Sequence, residues 1–285
     1  MNNIVITLTT IPSRLNSVYN YNMKYCIESL LNQTYTGEYQ IHINIPNIYN
    51  KTEEKYSIPK WLKQIRDPRL RIYRTKDYGS ITKLIPTLRR TKGDDRSIII
   101  VVDDDIVYHP ELITEHIKNR NLWPDYAVGY DGIRSRNTDG NFASNFNDNR
   151  NYYFSATGSN SLVDILQHYK SVSYIRSFFK QDFYTFIKKY GTWCDDTTVA
   201  AYLAKYGIGR LCTFFDGDDI FESFDDHLQN VSQTFPILKH TEHDRDEGCN
   251  LERGKNDEVE SKRHNMLYTE FIDKGYMDKT KTWAI

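Results

Sequence analysis

No apolar run of about 18 residues, the length that would cross a bilayer, occurs anywhere in the sequence. Its opening, NNIVITLTT, lacks the basic flank, long apolar segment and small-residue cleavage site of a secretory signal. A soluble cytoplasmic protein with no membrane span is expected. Basic tracts and Arg-rich arms are also missing, and 37 Lys and Arg against 38 Asp and Glu leave a formal net charge of −1, so nucleic acid is not an expected partner. Cysteine is sparse: Cys26, Cys194, Cys212 and Cys249 form neither a CxxC pair nor a dense framework, which fits free thiols in a reducing compartment. There is no internal repeat, low-complexity segment or interdomain linker.

What is present suffices for one substantial core, with 39% hydrophobic residues over a 285-residue chain. Aromatic content is high, with 22 tyrosines, and rings with polar tips suit carbohydrate surfaces as well as ordinary cores. Strand patterns at Ile4 to Leu8, Tyr39 to Ile45, Leu70 to Tyr73 and Ile98 to Val102 alternate with helical patterns at Ser17 to Asn32 and Ser80 to Arg90. A further helix is expected from Pro110. This alternation predicts an α/β fold with a mostly parallel central sheet and helices on both faces. Residues 134 to 153, rich in Asn, Asp, Arg and Gly, read as a loop or lid near the site. Short strands at Leu162 to Leu166 and Val172 to Ile175, helices at Phe178 to Tyr190 and Asp195 to Tyr206, and a strand at Arg210 to Phe214 complete the pattern. The chain turns strongly charged beyond His240, with a last helix expected at Asn265 to Lys274.

The chemistry concentrates at residues 98 to 110, IIIVVDDDIVYHP, where β-branched residues run into Asp103, Asp104 and Asp105. Such a run suits a central strand buried on both faces, and ligands of open α/β sheets gather outside the carboxyl ends of the strands. With no Lys or Arg beside them in the sequence, the three carboxylates repel one another, and a hard divalent cation, Mg2+ or Mn2+, would relieve that repulsion while a diphosphate completed its oxygen shell. The alternative is an acidic turn that caps the helix beginning at Pro110. A second acidic pair, Asp195 and Asp196, opens a helix, where the dipole stabilises it. Plain capping and a catalytic carboxylate both fit that pair.

The triplet resembles the Asp-X-Asp signature of GT-A glycosyltransferases, and other stretches fall in the order that family requires. LTTIPSRL at 8 to 15 resembles the first-strand loop that holds the nucleoside, which implies donor nucleotide contacts from Thr9, Thr10, Ile11, Pro12 and Arg14. SLLNQTY at 29 to 35 resembles the following helix end in family 2-like members. DYGSITKL at 77 to 84 resembles the loop after the third strand, implying nucleotide contacts from Asp77, Tyr78, Gly79 and Lys83, joined by Asp103 and Asp104. The metal would bind through Asp105 and Asp103, with a late histidine, His240 rather than His243, as a further ligand; solvated loop histidines are the competing reading.

TWCDDTTVAAYLAKYG at 192 to 207 is similar to the acidic motif of the acceptor-side helix, implying Asp196, with Asp195 beside it, as the general base. One departure falls in VDILQHYKSVSY, 163 to 174, where relatives carry a glycine-containing turn beside the donor sugar and this chain has Gln167 to Ser171. His168 and Tyr169, with Trp193, then become candidates for contact with the donor sugar or the acceptor. Bulky side chains there would crowd a hexose C6 group and favour UDP-xylose. The resemblance spans about residues 1 to 215 and looks closest to proteins of bacteria and large algal viruses.

It implies one GT-A domain over 1–285: a nucleotide-sugar-binding half to about 120, an acceptor half from about 121 to 240, and a charged tail over 241–285. The implied activity is metal-dependent, inverting transfer from a nucleotide diphosphate sugar, UDP-linked, to a hydroxyl of a glycan or glycoprotein acceptor. A retaining enzyme on the same fold, a metal-dependent nucleotidyltransferase or phosphohydrolase, and a non-catalytic carbohydrate-binding protein are the rivals.

Overall fold

The computed structural model describes residues 3–16, 21–134, 152–155, 160–190 and 195–213. In chain order they form β1 (Ile4–Thr9), α1 (Pro12–Asn16), α2 (Tyr21–Leu31), β2 (Gln40–Pro46), β3 (Ile48–Tyr49), β4 (Glu54–Lys55), α3 (Lys60–Gln64) and β5 (Leu70–Thr75). There follow α4 (Ile85–Arg90), β6 (Ile98–Val101), α5 (Leu112–Leu122), β7 (Tyr126–Gly129), β8 (Asp131–Arg134), β9 (Tyr152–Ser155), β10 (Ser161–Leu162) and β11 (Ile165–Leu166). The last described elements are β12 (Val172–Ile175), α6 (Phe183–Tyr190), α7 (Asp195–Lys205) and β13 (Gly209–Cys212). The expected helix at Asn265 to Lys274 and the charged tail lie outside the described residues.

Eight strands make one sheet in the order β10-β13-β7-β12-β6-β1-β2-β5, so strands from both halves of the chain share it. It is mostly parallel: only β10 and β12 run against the others. Side chains of β6 alternate between two cores. Ile98, Ile100 and Val102 pack with α2, α5 and the matching residues of β1 and β2, whereas Ile99 and Val101 pack with α4, α6 and α7. Helices therefore cover both faces, as the uninterrupted β-branched run requires. Burying each such side chain contributes roughly 1.5–3 kcal/mol.

Several element boundaries differ from the sequence pattern: the strand expected over Leu162 to Leu166 is two short strands, β10 and β11, in different sheets, and the helix expected from Phe178 begins at Phe183. The helix expected over Ser80 to Arg90 is a 3-10 turn, Ile81–Lys83, followed by α4, because Pro86 occupies the first turn of a new helix, where its missing N–H costs nothing. The stretch expected as a loop from 134 begins and ends in strands, since β8 pairs with β9, and β11 completes a three-stranded sheet. The end of α7 follows the sequence expectation: Gly207 adopts φ +69° and donates its N–H to the Ala204 carbonyl at 3.0 Å.

Register sets where the functional side chains emerge. Thr7 pairs with Val101, and the Val102 N–H reaches the Thr7 carbonyl at 3.1 Å, so the residues after β1 and after β6 leave the sheet at one edge. Val172, the first residue of antiparallel β12, also pairs with Val101, which brings the turn before it to the same edge.

Candidate functional site

Asp103, Asp104 and Asp105 leave the sheet just beyond β6, and neighbouring side chains fix the backbone there. Asp103 donates its N–H to the Tyr108 hydroxyl at 2.9 Å, and that hydroxyl donates to the Tyr169 carbonyl at 2.9 Å. The buried Cys26 thiol donates to the Asp103 carbonyl at 3.3 Å, and burial first, then the three aspartates, push its pKa up. Cys26 is thus a neutral thiol beneath an acidic loop.

The charge balance differs from the sequence expectation of a triplet with no cation beside it. Arg14, on α1, reaches Asp104 Oδ1 at 2.5 Å and Asp105 Oδ2 at 2.9 Å. Lys83 reaches Asp103 Oδ1 at 2.5 Å, so two cations distant in sequence supply the missing countercharge. Lys83 is also 3.0 Å from Asp195 Oδ2 on α7, so one ammonium joins the triplet to the second acidic pair. Burial disfavours the charged ammonium, yet Asp103, Asp195 and Asp196 hold its pKa well above the usual lysine value. Its backbone is anchored as well: the Lys83 carbonyl accepts from Thr7 Oγ1 on β1 and from Asn44 Nδ2 on β2, the latter at 3.2 Å. Asn44 also donates to Thr7 Oγ1 at 3.0 Å and Thr87 Oγ1 at 3.2 Å, closing a buried polar network behind the lysine.

Asp195 and Asp196 sit in the first turn of α7 but differ in environment. Asp195 is buried, and its Oδ2 meets both Lys83 and His168 Nδ1, the latter at 2.7 Å. Burial raises its pKa, but Lys83 and His168 outweigh that and hold the carboxyl well below the usual range. The Asp196 side chain is 32% exposed, and its Oδ1 lies 2.6 Å from His168 Nδ1 and accepts the His168 backbone N–H at 3.1 Å. His168 is 1% exposed, with Nε2 2.8 Å from the Tyr174 hydroxyl. Burial alone would lower its pKa; Asp196 and Asp195 reverse this and push it up to about 9, so the imidazole is charged at neutral pH.

The remaining expected residues gather at the same edge in varied roles. The Thr9 hydroxyl donates to the Asn44 carbonyl at 2.7 Å, the Thr10 carbonyl accepts from Tyr56 at 2.9 Å, half-buried Ile11 follows, and buried Pro12 opens α1. Asp77 organises its own loop, accepting Asn50 N–H at 2.8 Å and Gly79 N–H at 2.7 Å, with Gly79 at φ +67°. Arg89 donates to the Tyr78 hydroxyl at 2.7 Å. The Tyr169 hydroxyl donates to Asp131, a buried carboxylate whose pKa burial raises and which lies 3.8 Å from Lys170. Trp193 and His240 lie outside the described residues. Sequence reading missed Cys26, Asn44, Tyr108, Asp131 and Tyr174; only the residue types of Tyr108 and Asp131, just beyond strand ends, hinted at a part here.

Among the described residues, one group of three side chains brings its ligand atoms together. His168, Asp195 and Asp196 each present one donor atom, all within 4.8 Å of one another. However, ligands sharing an octahedral ion at about 2.1 Å lie roughly 3 Å apart, whereas His168 Nδ1 stands 2.6 and 2.7 Å from the two carboxylate oxygens. Those are hydrogen-bond lengths, so a proton on Nδ1 links the three, and holding an ion would require them to spread. The triplet's donors are all oxygens, which suit a hard cation, but they are not drawn together as that group is; among the described residues Asp104 Oδ2 is buried with no hydrogen-bond partner.

No protein-family model matches this chain, and no curated protein matches it. Among the solved structures it is similar to are residues 1–349 of S. aureus TarS and 4-diphosphocytidyl-2C-methyl-D-erythritol synthase, each at a TM-score of 0.44. The first is 12% identical over 74% of this chain and 58% of that chain, so this chain spans little more than half of it. The second is 9% identical over 76% of this chain and 91% of that chain. Neither likeness bears on what this chain does.

Proposed function

We propose that this chain is a GT-A-type, metal-dependent glycosyltransferase that moves a sugar from a UDP-linked nucleotide sugar to a hydroxyl of a glycan or glycoprotein acceptor, with inversion. The observation that carries this reading is the bridge at Lys83, 2.5 Å from Asp103 and 3.0 Å from Asp195, which draws a leaving-group side and an acceptor side around one point of the sheet edge. Asp103 and Asp105 would hold a Mn2+ or Mg2+ ion, which when bound would neutralise charge on the departing diphosphate.

The chain's own residues divide the remaining work. Arg14 and Lys83 exchange carboxylate partners for diphosphate oxygens, and the loops at 9 to 14 and 77 to 83 hold the nucleoside. Asp196, the exposed member of its pair, accepts the acceptor hydroxyl proton. The acceptor oxygen bonds to the anomeric carbon as that carbon's bond to the diphosphate oxygen breaks, and the electron pair leaves with the nucleoside diphosphate. Tyr169 and Lys170, beside Asp131, line the turn where the GT-A enzymes that the sequence resembles carry glycine, and make UDP-xylose the first donor to try.

Thermal-shift screening of UDP- and GDP-sugars with and without Mn2+, then transfer assays with the best donor, test the reading. D196N should keep donor binding and lose transfer at least about 100-fold; undiminished transfer would remove Asp196 as base, and a product with the donor's own anomeric configuration would remove inversion. The approach of Asp195 to Asp103 also meets what a nucleotidyltransferase requires, carboxylates converging on one centre. Pyrophosphate release from a nucleoside triphosphate and a sugar phosphate, with no nucleotide-sugar turnover, would favour that second reading.

A further inference from the structure

We infer that His168 is a positioning residue that holds the Asp196 carboxylate by one oxygen and leaves the other free for the acceptor hydroxyl; this rests on the base role proposed for Asp196. Among the described residues, Oδ1 of Asp196 pairs with the charged His168 Nδ1 at 2.6 Å and accepts the His168 backbone N–H at 3.1 Å. Both contacts come from one residue and meet at one oxygen, which fixes where Oδ1 sits. No bond from a described residue reaches Oδ2, and the side chain is 32% exposed, so Oδ2 is the oxygen an acceptor can approach.

The imidazole is itself locked. Its Nε2 contacts the Tyr174 hydroxyl at 2.8 Å, and the Tyr174 ring packs edge-on against Phe179 at 5.2 Å in the core shared with α6 and α7. Asp195 Oδ2, 2.7 Å from Nδ1, holds the same face of the ring and is in turn fixed by Lys83. The ring can neither flip nor swing without breaking buried polar contacts, which are costly to leave unmade. His168 thus serves the base from beneath and, at 1% exposed, cannot itself reach a sugar. This replaces the direct ligand contact expected of it from the sequence with an indirect one.

The two ring nitrogens have separate partners, and isosteric amides separate their roles. Asn places its NH2 near the position of Nδ1, whereas Gln places it near Nε2, so H168N keeps the donor to Asp196 and H168Q keeps only the contact with Tyr174. The backbone N–H to Asp196 survives in both, which bounds the loss. H168N is expected to retain kcat within about 5-fold, and H168Q to lose roughly 10- to 100-fold in kcat with the donor KM unchanged, as misplacement of a reacting group predicts. In 15N NMR of the wild-type chain, the His168 Nδ1 signal should move in D196N, a readout independent of turnover.

Equal kcat for H168Q and wild type, or equal losses in both amide variants, would overturn the positioning role while leaving the glycosyltransfer reading intact. An Nδ1 signal indifferent to D196N would overturn it as well. A wild-type chain that turns over no nucleotide sugar in the presence of Mn2+ would sink the glycosyltransfer reading, and the positioning role with it.

Discussion

Replacing Lys83 with methionine tests the charge architecture directly, because the change keeps the length of the side chain and removes only its ammonium. In the native chain that ammonium is 8% exposed and lies 2.5 Å from Asp103 and 3.0 Å from Asp195. Each pair, at about 3 Å and an effective dielectric of about 20, gains roughly 5 kcal/mol of Coulomb energy, while desolvating the ions costs several kcal/mol each. Deleting one partner of a buried pair typically costs about 3–5 kcal/mol, since the other charge stays behind. Asp103 is 28% exposed and can recover water, and Asp195 keeps His168, so the lower end, about 3 kcal/mol, is expected near neutral pH.

The pH dependence of that loss identifies its cause. Lys83 has a raised folded pKa, so its contribution is complete below the ordinary lysine value of about 10.4 and fades as pH rises through the folded value. Asp195 has a lowered one, so its contribution is present above about pH 3.9 and is lost as pH falls through the folded value. Without Lys83 the Asp195 carboxyl takes up a proton more readily in acid. The gap between wild type and K83M should therefore be widest from roughly pH 4 to 10 and narrow only as pH falls below about 4, towards the lowered folded value of Asp195. Urea unfolding followed by far-ultraviolet circular dichroism at about pH 7.5 and about pH 2.5 measures both gaps. A difference below about 1 kcal/mol at the higher pH, or one that does not shrink in acid, would refute the reasoning.

Three further outcomes are expected. R14A should lose about 2–3 kcal/mol in urea unfolding, because among the described residues the Arg14 pair at 2.5 Å is the contact of the buried Asp104 Oδ1 with a cation, and Oδ2 has no hydrogen-bond partner there; millimolar Mn2+ should raise the melting midpoint of R14A more than that of the wild type. His168, raised to about 9 against about 6.5 unfolded, should contribute about 3 kcal/mol that is complete below about pH 6.5 and lost as pH rises through about 9, a slope that H168N should lack in unfolding titrations. I100A should cost about 3–4 kcal/mol by the same measurement without altering the pH profile, since Ile100 is fully buried in the central strand and far in role from the charged edge.

The sheet was legible because its signals are local. Ile98 to Val102 carries enough β-branched residues to mark a strand buried on both faces, Val172 to Ile175 forms a strand with the expected bounds, and the acidic first turn and Gly207 mark both ends of α7. The misread boundaries also have local causes: Pro86 resets a helix that the apolar spacing runs through, and the pairing of β8 with β9 joins residues across a polar stretch that carries no strand pattern between them.

The electrostatics were not legible, because charge compensation here is a property of the sheet edge and not of neighbouring residues. Asp103 finds its cation 20 residues upstream, Asp104 finds its own 90 residues upstream, and His168 meets carboxylates 27 and 28 residues downstream. None of these partners can be chosen until the strand order is known, since it is the adjacency of β1, β6 and β12 that brings their loops together. Once that order is fixed, the two acidic groups stop being independent. Lys83 is the shared element: it contacts Asp103 on one side and Asp195 on the other, and Asp195 in turn shares Nδ1 of His168 with Asp196. A change of charge at Asp103 therefore has a connected route to Asp196, through Lys83, Asp195 and the shared Nδ1, across contacts no longer than 3.0 Å each.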